Sequence, residues 1–174
     1  MAPETVTVNR APVLTLWAAV VAERLGFDPE EALSLGKAVA GLTAQTKGRS
    51  LGIYKPAERG KAKKQGLGEE FWVELCGRPI PAKNTEQGIR AVVKDKPVDP
   101  APVQRYLSSK FGEHLSAVRK AMESLAEAFE PDELAERAFR LYEEFRPAVA
   151  PGVRGWGQKG ALDLDLIRSL VQRG

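Results

Sequence analysis

One cysteine, one histidine and two methionines in 174 residues leave little material for several kinds of chemistry. A lone Cys76 cannot close an internal disulfide and suits a reducing compartment, so the cytoplasm is the expected location. Cys76 and His114 are the only residues from which a Cys–His nucleophile pair could be built, and nothing in the sequence brings them together; a half-buried thiol and a surface imidazole are the expectation. No CxxC or HExxH spacing occurs, so metal ligands would have to be carboxylates such as Glu133, Glu136, Glu143, Asp163 and Asp165. Glu133 and Glu136 share a helix face with Arg137 and Arg140, as a solvated face does, and Asp163 stands where a helix cap belongs. The sequence therefore names no catalytic residue, no metal and no cofactor, and leans away from an enzyme.

Long apolar runs are missing as well. The richest, Val13 to Ala22, includes Thr15 and ends at Glu23 and Arg24, short of the roughly 20 residues that span a bilayer. Glu4 precedes any apolar stretch and no small-residue cleavage pattern follows, so neither a membrane anchor nor a signal peptide is expected. At 43% hydrophobic and 28% charged residues, the composition is that of a folded globular chain, and its length suits a single domain over 1–174.

What is present is mostly helical patterning. Pro12 suits a first helical turn with Asn9 nearby as a cap, and Val13, Trp17, Val20, Val21 and Leu25 recur at helical spacing until Gly26. Asp28 and Pro29 open a second helix, with Glu30 and Glu31 at the positive end of its dipole and Leu35, Val39 and Leu42 as its stripe. Gly36, Ala38, Ala40 and Gly41 keep that helix slim. Residues 18–37 also fit a helix-turn-helix template, but a reading helix that begins Asp28, Pro29, Glu30, Glu31 would repel phosphate, so an ordinary packed helix pair over 9–47 is preferred.

From Glu70 the pattern alternates, with Phe71, Val73 and Leu75 against Trp72, Glu74 and Cys76, which predicts a strand. Residues 78–83 return as a partner that Pro79 and Pro81 confine to an edge, and 89–93 add a third strand, giving a small antiparallel sheet over 70–93. Residues 94–102 read as a connector. The helical part, 102–174, starts with a short helix to Phe111. Leu115, Val118, Met122, Leu125 and Phe129 then continue into Leu134, Ala138, Leu141 and Phe145 on the same rhythm; the short turn at Glu130, Pro131 and Asp132 predicts an antiparallel αα-hairpin. A last helix is expected over about 163–172. The fold class is mainly α with α+β character: two helical hairpins and a small antiparallel sheet in the middle of the chain.

Charge is the distinctive feature. Between Lys47 and Lys64 the chain carries Lys47, Arg49, Lys55, Arg59, Lys61, Lys63 and Lys64 against Glu58, a balance of +6, so with a total of +3 the remainder carries −3. The segment 48–69 is glycine-rich and reads as flexible. Its cations can neutralise phosphates and release counterions without rigid geometry, and Tyr54 offers a stacking face. The same pattern also fits a solvated surface loop, or a basic lid over an anionic small molecule. Further on, "GVRGWGQKG" at 152–160 departs from a Walker motif, because Gln158 separates Gly157 from Lys159 and no hydroxyl follows. Arg154, Trp156 and Lys159 remain as a cationic, aromatic surface of the kind that stacks bases, with Trp156 as a core plug the alternative.

The stretch "NRAPVLTLWAAVVAERLGFDPEEAL", with "LGKAVAGL" and "KGRSLGI" following, resembles a family of uncharacterised bacterial proteins over about the first 50 residues. The resemblance implies that the first two helices and the start of the basic segment form one unit, and it implies no mechanism. The leading expectation is a non-enzymatic nucleic-acid-associated domain that contacts phosphates through the seven residues of 47–64, helped by Arg154, Trp156 and Lys159. A self-association or protein-interaction module built on the helical hairpins, or an enzyme with a basic lid, are the alternatives.

Overall fold

The computed structural model describes residues 5–41, 70–76, 78–93, 96–147 and 159–171. They form a mainly helical α+β fold. Strand β1 (Thr5–Asn9) runs directly into helix α1 (Arg10–Arg24), and α2 (Pro29–Gly41) follows a turn at Gly26, whose φ of +105° favours glycine. The middle of the chain supplies β2 (Glu70–Leu75), β3 (Arg78–Thr85), β4 (Gly88–Val93) and the two-residue β5 (Lys96–Pro97), antiparallel and in that order across the sheet. Helices α3 (Pro100–Phe111), α4 (Leu115–Glu127) and α5 (Pro131–Phe145) come next. Strand β6 (Lys159–Asp163) and helix α6 (Leu164–Val171) complete the described chain.

Helix α1 is the hub. It is apolar nearly all round, and such a helix belongs in a core rather than on a surface; every residue from Pro12 to Ala22 is buried. Helices α2, α3, α4 and α5 all pack against it. The Trp17 indole N–H donates to the Ala138 carbonyl of α5 at 2.8 Å, and its ring meets Phe145 edge-on at 5.3 Å between centroids. One contiguous core takes side chains from all six helices and from both sheets.

The slim face predicted for α2 is used inside the molecule. A Cβ on Gly36 would stand 2.7 Å from the Thr15 carbonyl oxygen and 3.1 Å from the Ala19 nitrogen, so only glycine lets the α2 backbone approach α1 this closely. The Thr15 hydroxyl donates back to the Ala11 carbonyl, which leaves that side chain satisfied in an apolar setting.

Several expectations need correction or refinement. Helices α4 and α5 follow one another through a three-residue turn, yet their apolar stripes face α1 and, for α4, also α6, rather than each other. The apolar α1 offers both stripes more surface than either could offer the other. Pro79 and Pro81 lie in a strand that is central in order, but pairing with β4 begins only at Ala82, so both prolines occupy a stretch bordered by β2 alone. Cys76 is not half-buried: it is enclosed at the corner between β2 and β3 with a φ of +52°. The pairing of β1 with β6, Val6 opposite Leu162 and Val8 opposite Gly160, was not anticipated. Helix α3 starts two residues earlier than its periodicity suggests, because Asp99 caps it and Pro100 fits the first turn.

Gly36→Ala should destabilise the protein by about 1–3 kcal/mol through overpacking, outweighing a helix-propensity gain of about 1 kcal/mol. Urea unfolding monitored by circular dichroism measures it, and an unchanged or raised midpoint would contradict the close approach.

Candidate functional site

The start of α2 meets the outer side of β4 through polar side chains. Glu31, only 4% exposed, accepts the Asp28 N–H on Oε1 and the Ile89 N–H on Oε2, each at 2.9 Å. One turn on, the Ser34 hydroxyl accepts the Ala91 N–H at 2.9 Å and donates to the Val98 carbonyl at 2.7 Å. Ile89 and Ala91 lie in the part of β4 that β5 does not cover, since β5 pairs only with Val92 and Val93. The helix therefore satisfies strand donors that would otherwise be buried and unpaired. Gly88 makes room for this: its φ is +120°, and a Cβ there would sit 3.1 Å from Glu31 Oε2.

Next to this junction Arg90 is 6% exposed. Its Nη1 donates to the Ile89 carbonyl at 2.9 Å, and its Nη2 donates to the Gln87 carbonyl and to Glu30 Oε2, both at 3.3 Å. The guanidinium lines a cleft of about 650 Å³ between the start of α2, the turn joining β3 to β4, and the segment from Pro97 to Gln104. Sequence reasoning missed this site: Arg90 looked like an ordinary strand residue and Glu31 like a residue placed for the helix dipole.

Most of the sequence candidates fall elsewhere. Lys47, Arg49, Lys55, Arg59, Lys61, Lys63, Lys64, Arg154 and Trp156 lie outside the described residues, and of Lys159 only the backbone is described, paired with Asn9 in β6. The helix-turn-helix alternative does not survive: α2 buries Ala32, Leu33, Ser34, Leu35, Ala38 and Val39, and its first turn is engaged with the sheet. His114 is exposed in the single 3₁₀ turn before α4, whereas Cys76 is enclosed under the sheet. No group of three potential metal ligands occurs among the described residues. Asp163 caps α6, accepting the Asp165 and Leu166 N–H groups, and Glu133 pairs with Arg137 one turn away at 3.2 Å. The stripes of α4 and α5 are buried, and Val93, 42% exposed, is the one large apolar side chain exposed among the described residues. No described helix is long and apolar enough to cross a membrane.

A second polar group joins α2 to α3. The Lys37 ammonium lies 4.5 Å from the centroid of the Tyr106 ring, and Lys110 lies 5.9 Å from it. Burial raises the Tyr106 pKa above the ordinary tyrosine value. Comparison with models of protein families, with curated proteins and with solved structures gave no match.

Glu31→Gln should cost about 1–3 kcal/mol, because the amide NH2 turns a donor toward one of the two backbone N–H groups that the carboxylate accepts; a midpoint shift within error in urea unfolding would remove Glu31 from this role. The Tyr106 shift has its own signature. The unfolded chain releases this proton first, so the effect on stability is nil below the ordinary tyrosine pKa and grows as a loss above it. Tyr106→Phe should lessen the decline in melting temperature on the alkaline side; an identical decline in both proteins would contradict the assignment.

Proposed function

We propose that the protein binds the phosphate backbone of nucleic acid through Lys47, Arg49, Lys55, Arg59, Lys61, Lys63 and Lys64, with Arg154, Trp156 and Lys159 as a second contact. The observation that carries this reading is the charge partition, +6 within residues 47–64 and −3 over the rest. A stretch of that density attracts polyanions by counterion release, with no need for fixed geometry.

Two features of the fold support it. The described elements on either side of the basic stretch, α2 ending at Gly41 and β2 beginning at Glu70, pack against each other, so both flanks are held on one body. Arginines in the described body are largely engaged already: Arg10 and Arg24 donate to carbonyls, and Arg90, Arg119, Arg137 and Arg168 face carboxylates. We assign the phosphate contacts to the basic stretch because the positive charge is densest there. With the first turn of α2 engaged on β4, the contacts of the basic stretch would position the chain on nucleic acid rather than read sequence.

Labelled duplex DNA and RNA titrated at two salt concentrations test the proposal. Affinity should fall steeply with salt, and replacing Lys61, Lys63 and Lys64 with alanine should reduce the log–log slope on DNA by about 2.7, at roughly 0.9 per phosphate contact. Absence of binding at low salt would end it.

A further inference from the structure

We propose that the cleft between the start of α2 and the start of α3 binds a small organic cation with an aliphatic body, an alkylammonium or alkylguanidinium compound. This proposal does not rest on the nucleic-acid reading. The volume of about 650 Å³ lies within the range of small-molecule sites, roughly 300–1,000 Å³. Its walls are largely apolar, from Leu33 on α2 to Pro97, Val98, Pro100 and Ala101 on the approach to α3. Leu33 and Gln104 also border a second hollow of about 240 Å³ lined by Leu16, Leu107 and Leu115 with the Glu23–Arg119 pair.

The sign of the ligand follows from the charged groups. Arg90 would be the natural hook for an anion, but its guanidinium already donates to two backbone carbonyls and to Glu30. An entering carboxylate or phosphate would compete with Glu30 beside the guanidinium and would also face Asp99. The two carboxylates keep free capacity. Glu30 is 71% exposed and uses only Oε2 on Arg90, while Asp99 uses only Oδ1, as the cap of α3. Glu30 Oε1 and Asp99 Oδ2 have no hydrogen-bond partner among the described residues. The charged lining is therefore two carboxylates against one guanidinium, a balance of −1, which suits a cation whose stem covers the apolar walls.

Amide NMR of the full chain titrated with n-pentylamine, n-pentylguanidine and pentanoate tests the idea. Both cations should give saturable shifts at residues 85–91 and 97–104, and pentanoate should not. Asp99→Asn preserves the cap, since asparagine serves there as well as aspartate, and should weaken cation binding about two- to fivefold, the range of half-exposed ion pairs, with the melting temperature unchanged. Glu30→Gln removes the negative charge facing Arg90, and should weaken the cations while allowing pentanoate to bind. Non-saturable or scattered shifts, equal binding of pentanoate by the unmodified protein, or cation affinities indifferent to both substitutions would each overturn the proposal.

Discussion

The carboxylate of Glu31 is the point at which the helical and sheet parts of this protein are tied together. It joins the Asp28 N–H at the start of α2 to the Ile89 N–H on β4, and the bond from Ile89 to Glu31 spans 58 residues of chain. A buried carboxylate is tolerable only where several donors converge on it, and here both donors also need the acceptor. Ser34 repeats the arrangement one turn later, and the Val98 N–H returns a bond to the Ala91 carbonyl at 2.8 Å. Together these side chains take the place of a strand along the part of β4 that β5 leaves open. An edge of exposed donors invites pairing with foreign chains; the polar stripe of α2 closes it.

The opposite side of α2 is fixed by Gly36 against α1, so the helix is held between two surfaces of different chemistry. Displacement away from the sheet would pull Glu31 and Ser34 off the strand, and the close approach at Gly36 leaves no gap on the α1 side to take it up. The cleft beside Arg90 depends on the same placement, because Glu30 and Leu33 reach it from the helix whose neighbouring residues hold the sheet. Its shape is thus a by-product of the docking that defines the fold.

Local signals were legible where their partners were close in sequence. The stops at Gly26 and Gly112 and the cap of α6 rest on contacts within a few residues, and the strand at 70–75 on its own alternation. Longer-range features were not. Thr5–Asn9 alternates Val6 and Val8 with threonines, but "KGALD" has little strand propensity, and it becomes a strand because β1 lies beside it. The expectation that α4 and α5 would pair with each other failed for a related reason: periodicity reveals that a stripe must be covered, not what covers it. Arg90 and Glu31 belong to the same class, since their roles follow from a packing of α2 on β4 that no local pattern announces.

The electrostatic division follows from this economy of contacts. Described carboxylates that meet cations do so in scattered pairs on separate elements, from Glu23 on α1 with Arg119 to Asp165 on α6 with Arg168. Exposed charges separated by more than about 8–10 Å are largely screened at physiological ionic strength. A deficit of −3 spread over many elements therefore cannot cancel +6 gathered within 18 residues, even though it halves that excess in the formal total of +3. The net charge of the chain understates the positive charge density of 47–64, and the same reasoning applies in reverse at the cleft, where Glu30 and Asp99 stand beside an Arg90 held in backbone and carboxylate contacts. Opposite ligand preferences can then coexist on one small protein, each set by the charges within a Debye length of it.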